Sequence, residues 1–280
     1  AQRARSPNRF YHYMKAEDDE FALRAFLGDA ADLAPLARLP PDELERVVVS
    51  VWHSWDMGYS CVGSVDFVDA QLTRLVMKRE VGRSFFAWSS DCPRYAIENF
   101  RSALDAPGEW FHDVKARKLF YIPRDGEDVA TAVAVVPVPT SLVVFAGDPA
   151  KGEIVRDIAF EGIGFEHAAL PMQPLGVRAG QAAVSVKEGA ITGACAEDVR
   201  FENCRIAHTG GHGICLSNGC GRVTVRHCLL EDLGAGGIYF GGAINNRQAT
   251  QEDVSSHPTV EDSIIRHGGR IMQAAVGVWM

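Results

Sequence analysis

The chain has 280 residues, 47% of them apolar and 23% charged, the balance of an ordinary folded protein and not of a disordered one. Lysine and arginine number 28 against 36 aspartates and glutamates, a net charge of −8 that excludes a protein held to nucleic acid by a basic face. No window reaches the roughly 18 uninterrupted apolar residues of a membrane span. The most apolar run, Val129–Phe145, is broken by Pro137 and Pro139.

The chain opens on Ala1-Gln-Arg-Ala-Arg5, with neither an initiator Met nor the charged-then-apolar pattern of a signal peptide. Near residue 29 a Pro- and acid-rich stretch begins (Asp29–Glu45), followed by strand-like Val47-Val-Val-Ser-Val-Trp52. Ile97, Phe100 and Leu104 recur at helical spacing and predict a short helix over Arg94–Leu104. Gly108–Asp113 and Lys118–Pro123 flank the polar turn Val114–Arg117 and predict a hairpin. Composition then changes near residue 150, which divides the chain into portions 1–150 and 151–280.

Beyond residue 150 the text is rich in Gly and His and repeats itself. Val155–His167, Val199–His208, Val223–Asp232 and the shorter Val260–His267 can be laid over one another. Three of them run on into a Gly-apolar pair and a second strand, at Gly213–Leu216, Gly237–Phe240 and Gly277–Trp279. From His208 to Asp232 is 24 residues and from Asp232 to His267 is 35, one coil each, the longer with an inserted loop near Gly242–Pro258. Short alternating strands at that interval predict an all-β parallel β-helix, in which each coil buries its inner face by stacking on its neighbours. Phe160, Phe201, Val225 and Val260 fall in register as an inward ladder. An antiparallel sandwich would not keep one coil length, and the leucine-rich consensus is absent. The final Ala275–Met280 stops inside an alternating stretch and leaves a strand edge open; with the missing Met this predicts a piece of a longer protein.

Seven cysteines are present, and Cys195, Cys204, Cys215, Cys220 and Cys228 crowd the C-terminal half. No Cys-x-x-Cys and no zinc-finger spacing of His occurs, so these read as small buried hydrophobes, with neither metal nor cofactor expected.

In the same register one corner column reads His167, His208, Asp232, His267, with successive coils about 4.8 Å apart. Glycines follow the column at Gly210–Gly211, Gly234–Gly237 and Gly268–Gly269, a floor on which a long polymer could approach the backbone. Asp232 is the one carboxylate in the column and the first candidate for acid–base chemistry, with His208 and His267 beside it. A lone Asp or His at a turn also serves simply to satisfy backbone groups. Glu231 and Glu166 precede the column; strand alternation points them to another face, so they are lesser acid–base candidates, and Glu231 is a candidate for contact with substrate. Arg270, His212, Tyr239, Trp279 and the loop residues Asn245, Asn246 and Arg247 are candidates for the walls of a sugar site, Trp279 also for the core.

Five motifs in order resemble the right-handed parallel β-helix glycoside hydrolases around glycoside hydrolase family 141. They are Arg3-Ala-Arg-Ser-Pro-Asn8, Gly108–Asp113 with Leu119–Pro123, His208-Thr-Gly-Gly-His-Gly-Ile214, Asp232-Leu-Gly-Ala-Gly-Gly237 and Gly268–Val278. The resemblance implies a bacterial, exported protein (periplasmic or extracellular) with a β-rich insertion over about 31–108 and further coils on both sides. It implies a glycoside hydrolase acting on a plant or bacterial polysaccharide through acids projecting from neighbouring coils. Asp232 matches the family's Asp-Leu-Gly-Ala-Gly-Gly; the following coil usually carries Asp before Gly-Gly-Arg, and here that position is His267. Because glycoside hydrolysis uses two carboxyl groups, the substitution also leaves a non-catalytic carbohydrate-binding β-helix as an alternative. A polysaccharide lyase is a further one, although the column makes a poor calcium site. A neighbouring imidazolium favours an ionised Asp232, acting as base or nucleophile and oriented by His208 or His267.

Overall fold

The structure is a computed structural model that describes residues 1–15, 23–80, 84–86, 94–171, 177–178, 180–241 and 255–280. The chain divides into two compact units, Ala1–Ala134 with Met172–Arg178, and Val135–Pro171 with Ala179–Met280. The composition change near residue 150 therefore falls inside the second unit's first coil.

In the first unit, an antiparallel sheet runs in the order Arg5–Ser6, Arg94–Glu98, Val48–Trp52, Met57–Phe67, Leu72–Met77, Ala25–Asp29. His12–Tyr13 adds to Arg94–Glu98, and Val177–Arg178 to Met57–Phe67. The strand at Val48–Trp52 and the hairpin of Glu109–Asp113 with Lys118–Tyr121 form as their sequences direct. The helix expected over Arg94–Leu104 does not. Residues 94–98 are a strand paired on both edges, Tyr95, Ala96 and Ile97 are all buried, and Asn99 turns the chain at φ 71° before a single 3-10 turn at Arg101–Ala103. Two ready partner strands outweigh a weak helical period, because each ladder hydrogen bond satisfies a buried backbone group.

The second unit holds three parallel sheets, and the chain visits them in turn. The first coil contributes Val143–Ala146, Val155–Glu161 and Gly164–Glu166; the second, Gly189–Ala194, Ala196–Glu202 and Arg205–Thr209. The third contributes His212–Leu216, Thr224–Arg226 and Leu229–Leu233, and the fourth Ile238–Phe240, Thr259–Glu261 and Ile264–Arg266. Val278–Trp279 begins a fifth. Every pairing between successive coils is parallel. The second unit is thus mostly β, with its strands in parallel sheets.

Its interior is built of ladders. Phe160, Phe201, Val225 and Val260 pair in register as expected, and the Phe160 and Phe201 rings stack at 5.2 Å. The other two sheets send in Val143, Ile191, Ile214, Ile238 and Val278, and Phe165, Ile206, Leu230 and Ile265. Gly193 faces Phe145, whose Cβ would lie 2.5 Å from any added Cβ, so that ladder needs a glycine opposite its ring. The six described cysteines are buried, and burial pushes the thiols of Cys215 and Cys220 up to about 12 and about 11.

Candidate functional site

The corner column forms as a column. His208 and Asp232 occupy equivalent places, since Ala207 pairs with Glu231 and Thr209 with Leu233. His167, His208, Asp232 and His267 all adopt left-handed backbone, at φ 66°, 53°, 52° and 54°. Among non-glycine residues Asn, Asp and His accept that conformation most readily, so the corner selects these residue types before any chemistry does. Two further corners show the same preference: Asp157, Asp198, Arg222 and His257 in one, Gly162, Asn203, His227 and Asp262 in the other.

The carboxylate at this corner is held by two different side chains, whereas both oxygens of Asp198, at another corner, are held by Arg222 alone. Asp232 Oδ2 lies 2.8 Å from His208 Nδ1, and Arg270 Nε donates to Oδ1 at 3.1 Å. Each oxygen therefore has its own basic partner, and all three side chains keep two-fifths or more of their surface in solvent. Partial burial raises the Asp232 carboxyl, but the hydrogen bond from His208 and the charge of Arg270 outweigh it, and the pKa lies below the ordinary Asp value. The imidazoles of His167 and His208 stack, with centroids 5.0 Å apart and planes 12° from parallel. His267 is the next corner along; its carbonyl accepts the Leu233 N–H at 3.1 Å and its side chain is exposed.

Beside the column, one step back along the third sheet, runs a ladder of opposite charges that sequence reading did not assemble. Arg205 pairs with Glu166 and reaches Glu231 Oε1 at 2.8 Å, while Arg266 grips Glu231 Oε2 through two nitrogens at 2.9 and 2.7 Å. The two arginines hold the Glu231 carboxyl below its usual range. Register was the signal: Glu166, Ala207, Glu231 and Arg266 share one ladder, and Arg205 stands two residues before Ala207.

Other expected wall residues lie elsewhere. His212 is buried; the Gly236 N–H donates to its Nδ1 at 3.1 Å, and burial lowers its pKa to about 4. Tyr239 is fully buried, with its hydroxyl 2.8 Å from Lys187 Nζ. Both stand at the first sheet, where the segment around Ala183 and Val186 closes against His212. Trp279 is half-buried and pairs with Tyr239. Asn245, Asn246 and Arg247 lie outside the described residues, as does most of the inserted loop.

The glycine floor is corrected by the structure. A Cβ on Gly210 would meet Leu170 N at 2.3 Å, on Gly211 Glu188 O at 2.3 Å, on Gly234 Gly210 O at 1.8 Å, and on Gly236 Val276 O at 2.4 Å. These glycines admit neighbouring backbone of the protein itself, so the room beside them is already filled.

Residues 179–249 match the family model described as right handed beta helix region. A solved structure titled "Glycoside hydrolase" aligns with 99% of this chain and 54% of its own length, at a TM-score of 0.85 and 21% identity. The chain thus spans about half the length of that structure. At this identity the likeness is one of fold. No curated protein matches the chain. No described helix is long and apolar enough to cross a membrane.

Proposed function

We propose that this protein is a glycoside hydrolase acting on a plant or bacterial polysaccharide, with Asp232 as its reacting carboxylate. The observation that carries the reading is the pairing of both Asp232 oxygens, one with His208 and one with Arg270, on an exposed corner. A carboxyl held ionised is suited to attack the sugar or to activate water, and unsuited to donate a proton. The proton for the departing oxygen has to come from a second group, and His267 is the side chain that the next coil brings to that corner. Arg270 and His208 orient Asp232 and can reach sugar hydroxyls from either side of it. The resemblance to family 141 carries with it an exported protein, periplasmic or extracellular. The resemblance to family 141 and the fold shared with the structure titled "Glycoside hydrolase" support the reaction class.

The test is reducing-sugar release from a polysaccharide panel by the full-length protein and by its Asp232→Asn variant. Cleavage by the parent and none by the variant supports the assignment; equal cleavage removes Asp232 from the chemistry. One observation favours a second reading, a carbohydrate-binding β-helix without turnover: Asp232 is the only acid among His167, His208, Asp232 and His267. Ordered binding of a glycan with no cleavage by the full-length protein would decide for it.

A further inference from the structure

In the first unit, strand Arg94–Glu98 carries two short strands along one edge. Ser6 pairs with Ile97 and His12 with Tyr95, while residues 7–11 loop out between them. Ile97 and Tyr95 are two apart and share a face of the sheet, so Ser6 and His12 are set side by side on that face. The short helix Ala30–Leu33, which follows strand Ala25–Asp29 directly, brings Asp32 to the same place. Ser6 Oγ lies 3.2 Å from His12 Nε2, and His12 Nδ1 lies 2.7 Å from Asp32 Oδ2.

This order of contacts has a chemical consequence. The Asp32 carboxylate accepts from Nδ1–H and fixes the proton there, which leaves Nε2 as the acceptor for the Ser6 hydroxyl. The His12 ring is packed 5.2 Å from the Tyr95 ring, a second restraint on its orientation. Burial lowers the His12 pKa, Asp32 and more weakly Asp29 pull it back up, and Arg5 pushes it down; the outcome lies below the ordinary His value. The imidazole is therefore a free base at neutral pH.

We propose that Ser6, His12 and Asp32 form a second active site that hydrolyses small carboxylic esters through an acyl-Ser6 intermediate. Ser6 Oγ bonds to the ester carbonyl carbon as its proton passes to His12 Nε2. The bond from that carbon to the alkoxy oxygen breaks, and the alcohol leaves with the proton from His12. Water, giving a proton to the same Nε2, then cleaves the acyl-serine; the carboxylic acid departs and Ser6 recovers its hydrogen. Ser6 and His12 are half-buried at the sheet edge, which suits a short acyl group. Asp32 is the positioning residue. The site shares no residue with the Asp232 corner, so either assignment can fail without the other.

The experiment uses the full chain with p-nitrophenyl acetate as substrate and a fluorophosphonate as covalent probe, followed by peptide mapping. The expected result is single labelling on the peptide containing Ser6, with hydrolysis reduced about a hundredfold or more in Ser6→Ala and in His12→Asn. Asp32→Asn should lower the rate and alter its pH profile, the signature of a misplaced imidazole proton. Undiminished hydrolysis in Ser6→Ala, or labelling confined to another residue, would overturn the proposal. If Ser6→Ala fails to fold, Ser6→Cys takes its place: alkylation by iodoacetamide faster than that of a simple thiol, and dependent on His12, supports the site. Alkylation at the rate of an unactivated thiol rejects it.

Discussion

The Phe160 and Phe201 rings lie 5.2 Å apart and 7° from parallel, one above the other on adjacent coils. Phe201 is fully buried and also meets Phe165 edge-on at 6.4 Å. A stack of this kind holds register, because sliding one coil by one residue would turn each ring to the solvent side.

Replacing Phe201 with Ala is therefore expected to destabilise the β-helix unit by about 3–5 kcal/mol, the usual cost of emptying a buried aromatic site. Denaturant unfolding followed by tryptophan fluorescence measures it. A loss below about 1 kcal/mol, within the range of ordinary surface substitutions, would mean that the ladder does not carry the core.

Gly234→Ala tests the close approach of coils. The added methyl would sit 1.8 Å from the Gly210 carbonyl oxygen, a backbone atom that has no rotamer in which to retreat. Overpacking of this sort costs about 1–3 kcal/mol, visible as a lower Tm with near-UV dichroism changed around the corner. Gly162→Ala is the control for space: nothing lies within 4 Å of its Cβ position, and the penalty there comes from its φ of 67° alone.

The Asp232 corner makes a pH prediction. With its pKa held below the ordinary value by His208 and Arg270, Asp232 stays ionised into acid, and the acidic limb of the pH–rate profile should lie below the normal carboxylate range. Arg270→Gln removes one of the two stabilising partners and should move that limb toward higher pH, more so at low ionic strength. An unmoved limb would show that another group sets it.

His212 gives a stability prediction of definite sign. Its folded pKa is lowered to about 4 against an unfolded 6.5, so between those values the unfolded chain binds a proton that the folded one refuses. Stability is full above pH 6.5, falls by roughly 3 kcal/mol as pH drops toward 4, and levels off below. Chemical denaturation across that window should show the slope, and His212→Gln, which keeps an acceptor for the Gly236 N–H, should flatten it.

Much of the stacking of parallel strands is legible in the sequence. The inward ladder Phe160, Phe201, Val225, Val260 follows from a repeat alone, since stacked coils force equivalent residues into one file. The column His167, His208, Asp232, His267 was legible for the same reason, and its left-handed backbone accounts for the residue types that mark it. Where local period and tertiary pairing disagreed, at Arg94–Glu98, the helical spacing of Ile97 and Phe100 lost to two flanking strands.

The amino-acid order thus determined the coil, its register and the identity of the corner residues, because repetition is a one-dimensional property that survives translation into stacked rungs. Only the folded chain decided which of those residues meet solvent. It put His212 and Tyr239 inside, filled the space beside the glycines with the protein's own backbone, and gave Asp232 a separate partner for each oxygen. It also joined Ser6, His12 and Asp32, three residues with no periodic relation, by bending two strands and a helix turn to one sheet edge. Contacts of that kind depend on how elements pack across the chain, and no spacing along it encodes them.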